Sequence, residues 1–233
     1  MTAPLHALTW QTVADPPPLQ TNALHLWRLP LTSGDDSADL ALLSDGQRQR
    51  LGRLRSPVHR RRYLRTQAGC RRILARYVAQ PPGALEFHRG AAGKPFLAAA
   101  IRHPEFNLTN SGDLALLAVS AALPVGVDCE LERERRDPLA IARRMLDPDA
   151  QRDLARRSGR DRLRAFHLHW TALEARVKAD GRGLARHREP DLPALVVRHA
   201  IAGELGGCTA VCAVARVDLP PPERWLALQW AGD

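Results

Sequence analysis

The chain has 233 residues and carries 34 basic against 25 acidic side chains, a net charge of +9. That length suits one large domain or two small ones. No apolar run is long enough for a membrane helix, and the N-terminus has no basic region followed by an apolar stretch, so neither a span nor a secretory leader is expected. The four cysteines show neither zinc spacing with histidines nor Cys-x-x-Cys, so reduced thiols in the cytoplasm are the expectation. A charge this basic suits nucleic acid, an acidic protein or a phosphate-rich small molecule, and does not by itself choose among them. Nearly all of it is arginine; lysine stands only at Lys94 and Lys178. An ammonium is a compact charge suited to a single phosphate oxygen, whereas the guanidinium fork is broader.

Residues 1 to 22 include Asp15-Pro16-Pro17-Pro18 and little periodicity, which predicts a loosely held arm. Leu24 to Leu29 alternates and reads as a strand. After a turn-rich loop, residues 39 to 43 suit a short helix. Ser44 can cap a second to about Leu54, and Ser56-Pro57 starts a third that ends near Ala79. This region is crowded with arginines, among them Arg50, Arg53, Arg60, Arg61, Arg62, Arg65, Arg71 and Arg72. Only Tyr63 and Tyr77 are interleaved as stacking surfaces, so the case for nucleic acid is thin. Leu85 to Arg89 reads as a strand, Gly93 to Phe96 as a tight turn and Leu114 to Val119 as a strand.

Val125-Gly126-Val127-Asp128-Cys129-Glu130 reads as a short buried strand. Side chains alternate along it, so Asp128 and Glu130 share a face. Paired carboxylates repel and are costly to desolvate; a hard cation such as Mg2+ resolves both and leaves room for phosphate. An exposed Asp-x-Glu leading into the solvated run Glu132 to Arg136 fits the same letters. Helices are predicted over 138–145, over about 148–157 and over 161–179. Glu174 and Lys178 stand four apart on one face of the last, a spacing that also describes an ordinary surface ion pair. His167 and His169 are two apart, so they share no face and read as structural or exposed. The remainder looks β-rich, with strands at 195–198, 209–214 and 225–230.

Gly126-Val-Asp128-Cys-Glu130, followed by Trp170-x-x-x-Glu174-Ala-x-x-Lys178-x-x-Gly-x-Gly-Leu184, resembles the 4'-phosphopantetheinyl transferases of the surfactin-synthetase-activating type. The resemblance covers about Gln47 to Leu184. It implies an α+β fold of two similar α/β halves related by a pseudo-twofold, here 23–123 and 124–233 after the 1–22 arm, with the site between them. It implies Mg2+-dependent transfer of the phosphopantetheine arm of coenzyme A to a serine of an apo acyl- or peptidyl-carrier protein, releasing 3',5'-ADP. By the same resemblance Asp128, Glu130 and Glu174 would hold the metal. Asp128, Glu174 and Lys178 would carry catalysis, with Glu174 taking the serine proton. Arg50, Arg53, Arg65, Thr66, Lys94, Thr109, Asn110 and Lys178 would contact coenzyme A. A cytoplasmic monomer binding neither nucleic acid nor membrane is expected. Phe106 to Gly112 resembles a loop of the family, which implies a loop here. Two positions depart from the pattern: Asn110 stands for a histidine and cannot carry a proton or charge, and Leu173 stands for a lysine. A relative that binds coenzyme A or a carrier without turnover is the alternative.

Overall fold

A computed structural model describes residues 4–98, 104–134, 137–191 and 193–231; Arg135 and Arg136, at the end of the charged run, lie outside them. In chain order the elements are β1 (His6–Ala7), β2 (Gln11–Val13), β3 (His25–Pro30), α1 (Asp36–Leu42), α2 (Asp45–Arg53), α3 (Pro57–Val78), β4 (Phe87–Arg89), β5 (Pro95–Leu97), β6 (Glu105–Ser111), β7 (Leu114–Ser120) and β8 (Gly126–Leu131). There follow α4 (Pro138–Met145), α5 (Pro148–Ala155), α6 (Gly159–Asp180), β9 (Val196–Leu205), β10 (Cys208–Arg216) and β11 (Leu226–Trp230). The mixed α+β architecture expected from the sequence is the one observed. No helix among the described residues is long and apolar enough to cross a membrane.

One sheet has the order β1-β9-β10-β8, the other β2-β11-β3-β7-β6, and β4 and β5 form a separate hairpin. Strand alternation sorts the side chains into layers. Leu26 of β3, Leu114, Leu116 and Ala118 of β7, Val127, Cys129 and Leu131 of β8, and Ala210, Cys212 and Val214 of β10 meet in one core between the sheets. Their neighbours Trp27, Leu29, Ala115, Leu117 and Val119 face outward, onto Cys70, Ile73 and Leu74 of α3. On the other outer face Ala175 and Ala179 of α6 lie on Ala213 and Ala215. The layers therefore run helix, sheet, sheet, helix.

The two long helices have legible ends. Ser56 caps α3, with Pro57 in its first turn, and Ala79 stops it in the left-handed region; α6 stops at Gly181, at φ 73°, where the absence of a Cβ makes that conformation inexpensive.

Four expectations need correction. The described part of the 1–22 segment is not a loose arm: β1 pairs in parallel with β9, β2 pairs in parallel with β11, and Trp10 Nε1 donates to the Ala202 carbonyl at 3.0 Å. Nor do the sheets divide at 123/124, because β11 lies between β2 and β3, so each sheet takes strands from both ends of the chain. Residues 106 to 111 form strand rather than loop, and the strand expected at 195–198 continues to Leu205. Such pairings satisfy backbone groups across long sequence separations, which local periodicity does not register.

Candidate active site

β6 and β8 are edge strands of different sheets, and side chains join them. Asn107 Oδ1 accepts from the amide of Val127 at 2.9 Å, and Ser111 Oγ accepts from the amide of Leu131 at 3.2 Å. Between these, Thr109 donates to Asp128 Oδ1 at 2.9 Å and Ser111 to Glu130 Oε2 at 3.1 Å. The polar face of β6 thus satisfies an edge that would otherwise be open, while Phe106 and Leu108 face the other way. Thr109, expected at the cofactor, orients Asp128.

α6 supplies the rest. A Cβ built on Gly126 would fall on the carbonyl oxygen of Ala175 and the amide nitrogen of Ala179, and 2.9 Å from Ala179 Cα. Only glycine lets the helix backbone cross β8 this closely. The crossing delivers Lys178 Nζ to 2.5 Å from Asp128 Oδ1 and, one turn along α6, 2.9 Å from Glu174 Oε2. The i,i+4 pair is therefore not a surface pair: its ammonium joins two carboxylates from different elements.

Asp128 is 4% exposed. Burial, the largest influence, pushes its carboxyl up to about 7; Lys178 pulls it down and Glu174 pushes it further up. For Lys178, burial acts to lower the ammonium, and Asp128 and Glu174 outweigh it, so the net direction is upward. Lys178 is thus the firmly charged member, and Asp128 is the carboxylate short of positive charge.

Mg2+ takes oxygen donors and retains several waters, so one or two carboxylates suffice. Asp128 Oδ2 is buried without a hydrogen-bond partner, and Glu174 lies on the same ammonium. Those two carboxylates fit such an ion. The three-acid cage expected from the sequence is not assembled: among the described residues no three acidic, histidine or cysteine side chains are grouped to hold a metal. Glu130 keeps the Asp128 face but is taken up with Ser111.

The expected coenzyme A contacts separate into groups. Arg50 lines a cleft of about 780 Å3, with Gln47, Tyr63, His88, Arg89 and Leu108 also on its walls, and its guanidinium lies 5.4 Å over the Tyr63 ring. Asn110 is exposed, at a β6 position of the same parity as Leu108. Arg53 is exposed and donates to Gln49. Arg65, by contrast, is buried and ion-paired to Asp36 and Asp39 of α1, and Thr66 is buried beside it in α3. Lys94 donates to two backbone carbonyls and does not line the cleft. Sequence reasoning missed His88 and Arg89, which the β4–β5 hairpin brings to the cleft wall; their only sequence signal was proximity to Gly93-Lys94-Pro95.

Leu173 has a structural reason. It is 8% exposed and packs with Leu146, Leu154, Phe166 and Val177 under α4 and α5, about a quarter-turn round α6 from Glu174. Trp170 stacks on Phe166 with ring centroids 6.2 Å apart, consistent with a packing role. His167 hydrogen-bonds the Arg133 carbonyl, and His169 hydrogen-bonds Asp153.

With this geometry in place, residues 124–216 match the family model of the 4'-phosphopantetheinyl transferase superfamily. The chain is similar to the 4'-phosphopantetheinyl transferase HetI of Nostoc, 33% identical over 178 residues that cover 75% of each chain. It is also similar to the putative 4'-phosphopantetheinyl transferase slr0495 of Synechocystis, 34% identical over 62% of this chain and 59% of the relative. A third relative is the 4'-phosphopantetheinyl transferase psf-1 of Bacillus pumilus, 34% identical over 57% of this chain and 55% of the relative. The chain is thus a transferase, and in it a strand-end carboxylate and a helix-borne Glu-x-x-x-Lys converge. The chain belongs to the 4'-phosphopantetheinyl transferase family.

Proposed function

We propose that the protein transfers the 4'-phosphopantetheine moiety of coenzyme A to a serine hydroxyl of an apo acyl- or peptidyl-carrier protein, with 3',5'-ADP as the other product. The observation that carries this reading is the single ammonium of Lys178 held between Asp128 and Glu174. In the transfer the serine oxygen forms a bond to the phosphorus that bears the pantetheine arm. The bond from that phosphorus to the bridging oxygen breaks, and the oxygen leaves on the ADP fragment. Negative charge spreads over the phosphate oxygens, and Lys178 is placed to neutralise it. Glu174 is the group for the serine proton, and Thr109 keeps Asp128 turned into the site. Mg2+, held by Asp128 and Glu174, would supply charge neutralisation at the diphosphate.

The cleft beside β6 suits the nucleotide end of coenzyme A: Arg50 and Arg89 offer charge for its phosphates, and Tyr63 offers a ring. A net charge of +9 suits approach to an acidic carrier protein, and four unpaired cysteines suit a reducing compartment such as the cytoplasm. The test is incubation of the purified chain with coenzyme A, Mg2+ and apo carrier proteins, read by intact-protein mass spectrometry. One phosphopantetheine per carrier, lost on chelation of Mg2+, is the expected result; unmodified carriers throughout would instead favour a binder without turnover.

A further inference from the structure

Lys94 stands at the turn of the β4–β5 hairpin, distant in sequence from Asp128 and Glu174. Its Nζ donates to the Ala179 carbonyl at 2.7 Å and to the Val125 carbonyl at 3.1 Å. Ala179 lies in the last turn of α6, and Val125 immediately precedes β8. These are the two sides of the crossing at which Gly126 admits the helix backbone. We propose that Lys94 is a positioning residue: it staples the end of α6 to the start of β8, and so fixes the crossing that sets Glu174 and Lys178 against Asp128.

Three features support the staple. The last carbonyls of a helix lack intrahelical partners and carry the negative end of its dipole, so a lysine is well matched to them. An ammonium has three protons and can serve two carbonyls at once. The hairpin is seated as well as bonded: a Cβ on Gly181 would lie 3.4 Å from Lys94 Cδ, and one on Gly183 would lie 3.0 Å from Ala92 Cβ. The two glycines after α6 thus leave the room into which the hairpin fits. Two of its three protons are committed to these carbonyls, so this assignment departs from the purely phosphate-binding role that the family resemblance implies.

The proposal rests on the transferase reading for its kinetic test, and hydrogen exchange tests it separately. In Lys94→Met, kcat should fall on the order of 10- to 100-fold, as for a catalytic group displaced by up to about 1 Å. The coenzyme A Kd, from calorimetry without carrier, should stay within about threefold. Amide exchange should rise in the last turn of α6 and at the start of β8 but not in α3. Lys94→Arg, which can still donate to both carbonyls, should recover much of kcat. If Lys94→Met does not fold, Lys94→Gln, able to serve one carbonyl, carries the same comparison. A Kd weakened tenfold or more with kcat near wild type at saturation would make Lys94 a phosphate ligand and overturn the proposal, as would unchanged exchange in α6. If the wild-type chain modifies no carrier yet α6 still loosens in Lys94→Met, the staple stands and the transferase reading falls.

Discussion

Replacing Gly126 by alanine adds one methyl group where the backbone of α6 already lies. That methyl would overlap the Ala175 carbonyl oxygen and the Ala179 amide nitrogen, and would sit 2.9 Å from Ala179 Cα. None of these is the movable end of a side chain, so the helix must retreat. Restoring contacts of about 3.5–4 Å requires a shift of about 1.5–2 Å. Overpacking of this kind costs about 1–3 kcal/mol, and Tm falls by roughly 2–4 °C per kcal/mol in a chain of this size. The same shift withdraws Lys178 and Glu174 from Asp128, and a displacement of ~1 Å at a reacting centre costs about 100-fold in rate. Thermal unfolding and single-turnover transfer measure the two effects. A Gly126→Ala protein with wild-type Tm and wild-type rate would refute the account of the crossing.

Arg50→Ala should raise the KM for coenzyme A severalfold without changing Tm, because Arg50 is exposed on the cleft wall; Arg65→Ala should destabilise by about 3–5 kcal/mol, since it leaves Asp39 buried with one fewer cation. Titration of coenzyme A and urea unfolding separate the two, and the reverse pattern would exchange their roles. Leu173→Lys should cost about 2–4 kcal/mol and give no gain in transfer rate, because position 173 lies in the apolar cluster beneath α4 and α5; faster transfer at unchanged Tm would mean that the side chain faces the cleft. His25 Nδ1 and the Tyr77 hydroxyl share a hydrogen bond at 2.7 Å, and burial lowers the histidine's pKa from 6.5 to about 4. The unfolded chain therefore takes up the proton first as pH falls. Stability from this residue is complete above about pH 6.5 and declines toward pH 4, by at most on the order of 3 kcal/mol. His25→Gln should flatten that part of the stability–pH curve, and an unchanged slope would contradict it.

What the sequence disclosed was local. Ser56-Pro57 marked the start of α3 and the glycine at 181 marked the end of α6, because caps are written in adjacent residues. The alternation in Val125 to Glu130 placed Asp128 and Glu130 on one face before any partner was known. What it concealed was pairing at a distance. Nothing near His6 or Gln11 announces that their partners lie about two hundred residues on, and nothing in Leu226 to Trp230 announces that this strand joins the sheet of β3. The arginines show the same limit. Arg50 and Arg65 look alike in the letters, and only the fold brings Asp39 to one and the open cleft to the other. Lys94 was recognised as unusual in an arginine-rich chain, but its acceptors are backbone carbonyls, which have no residue signature.

The central claim is that Asp128, Glu174 and Lys178 act as one unit across the crossing of β8 and α6. Single-turnover transfer from coenzyme A to a carrier protein, in Asp128→Asn, Glu174→Gln and the double variant, tests it most directly. Each single variant should lose at least about 1,000-fold while remaining folded, and the double variant should lose little more than the worse single one, as residues acting together do. Wild-type rates in either single variant, or losses that simply multiply, would contradict it.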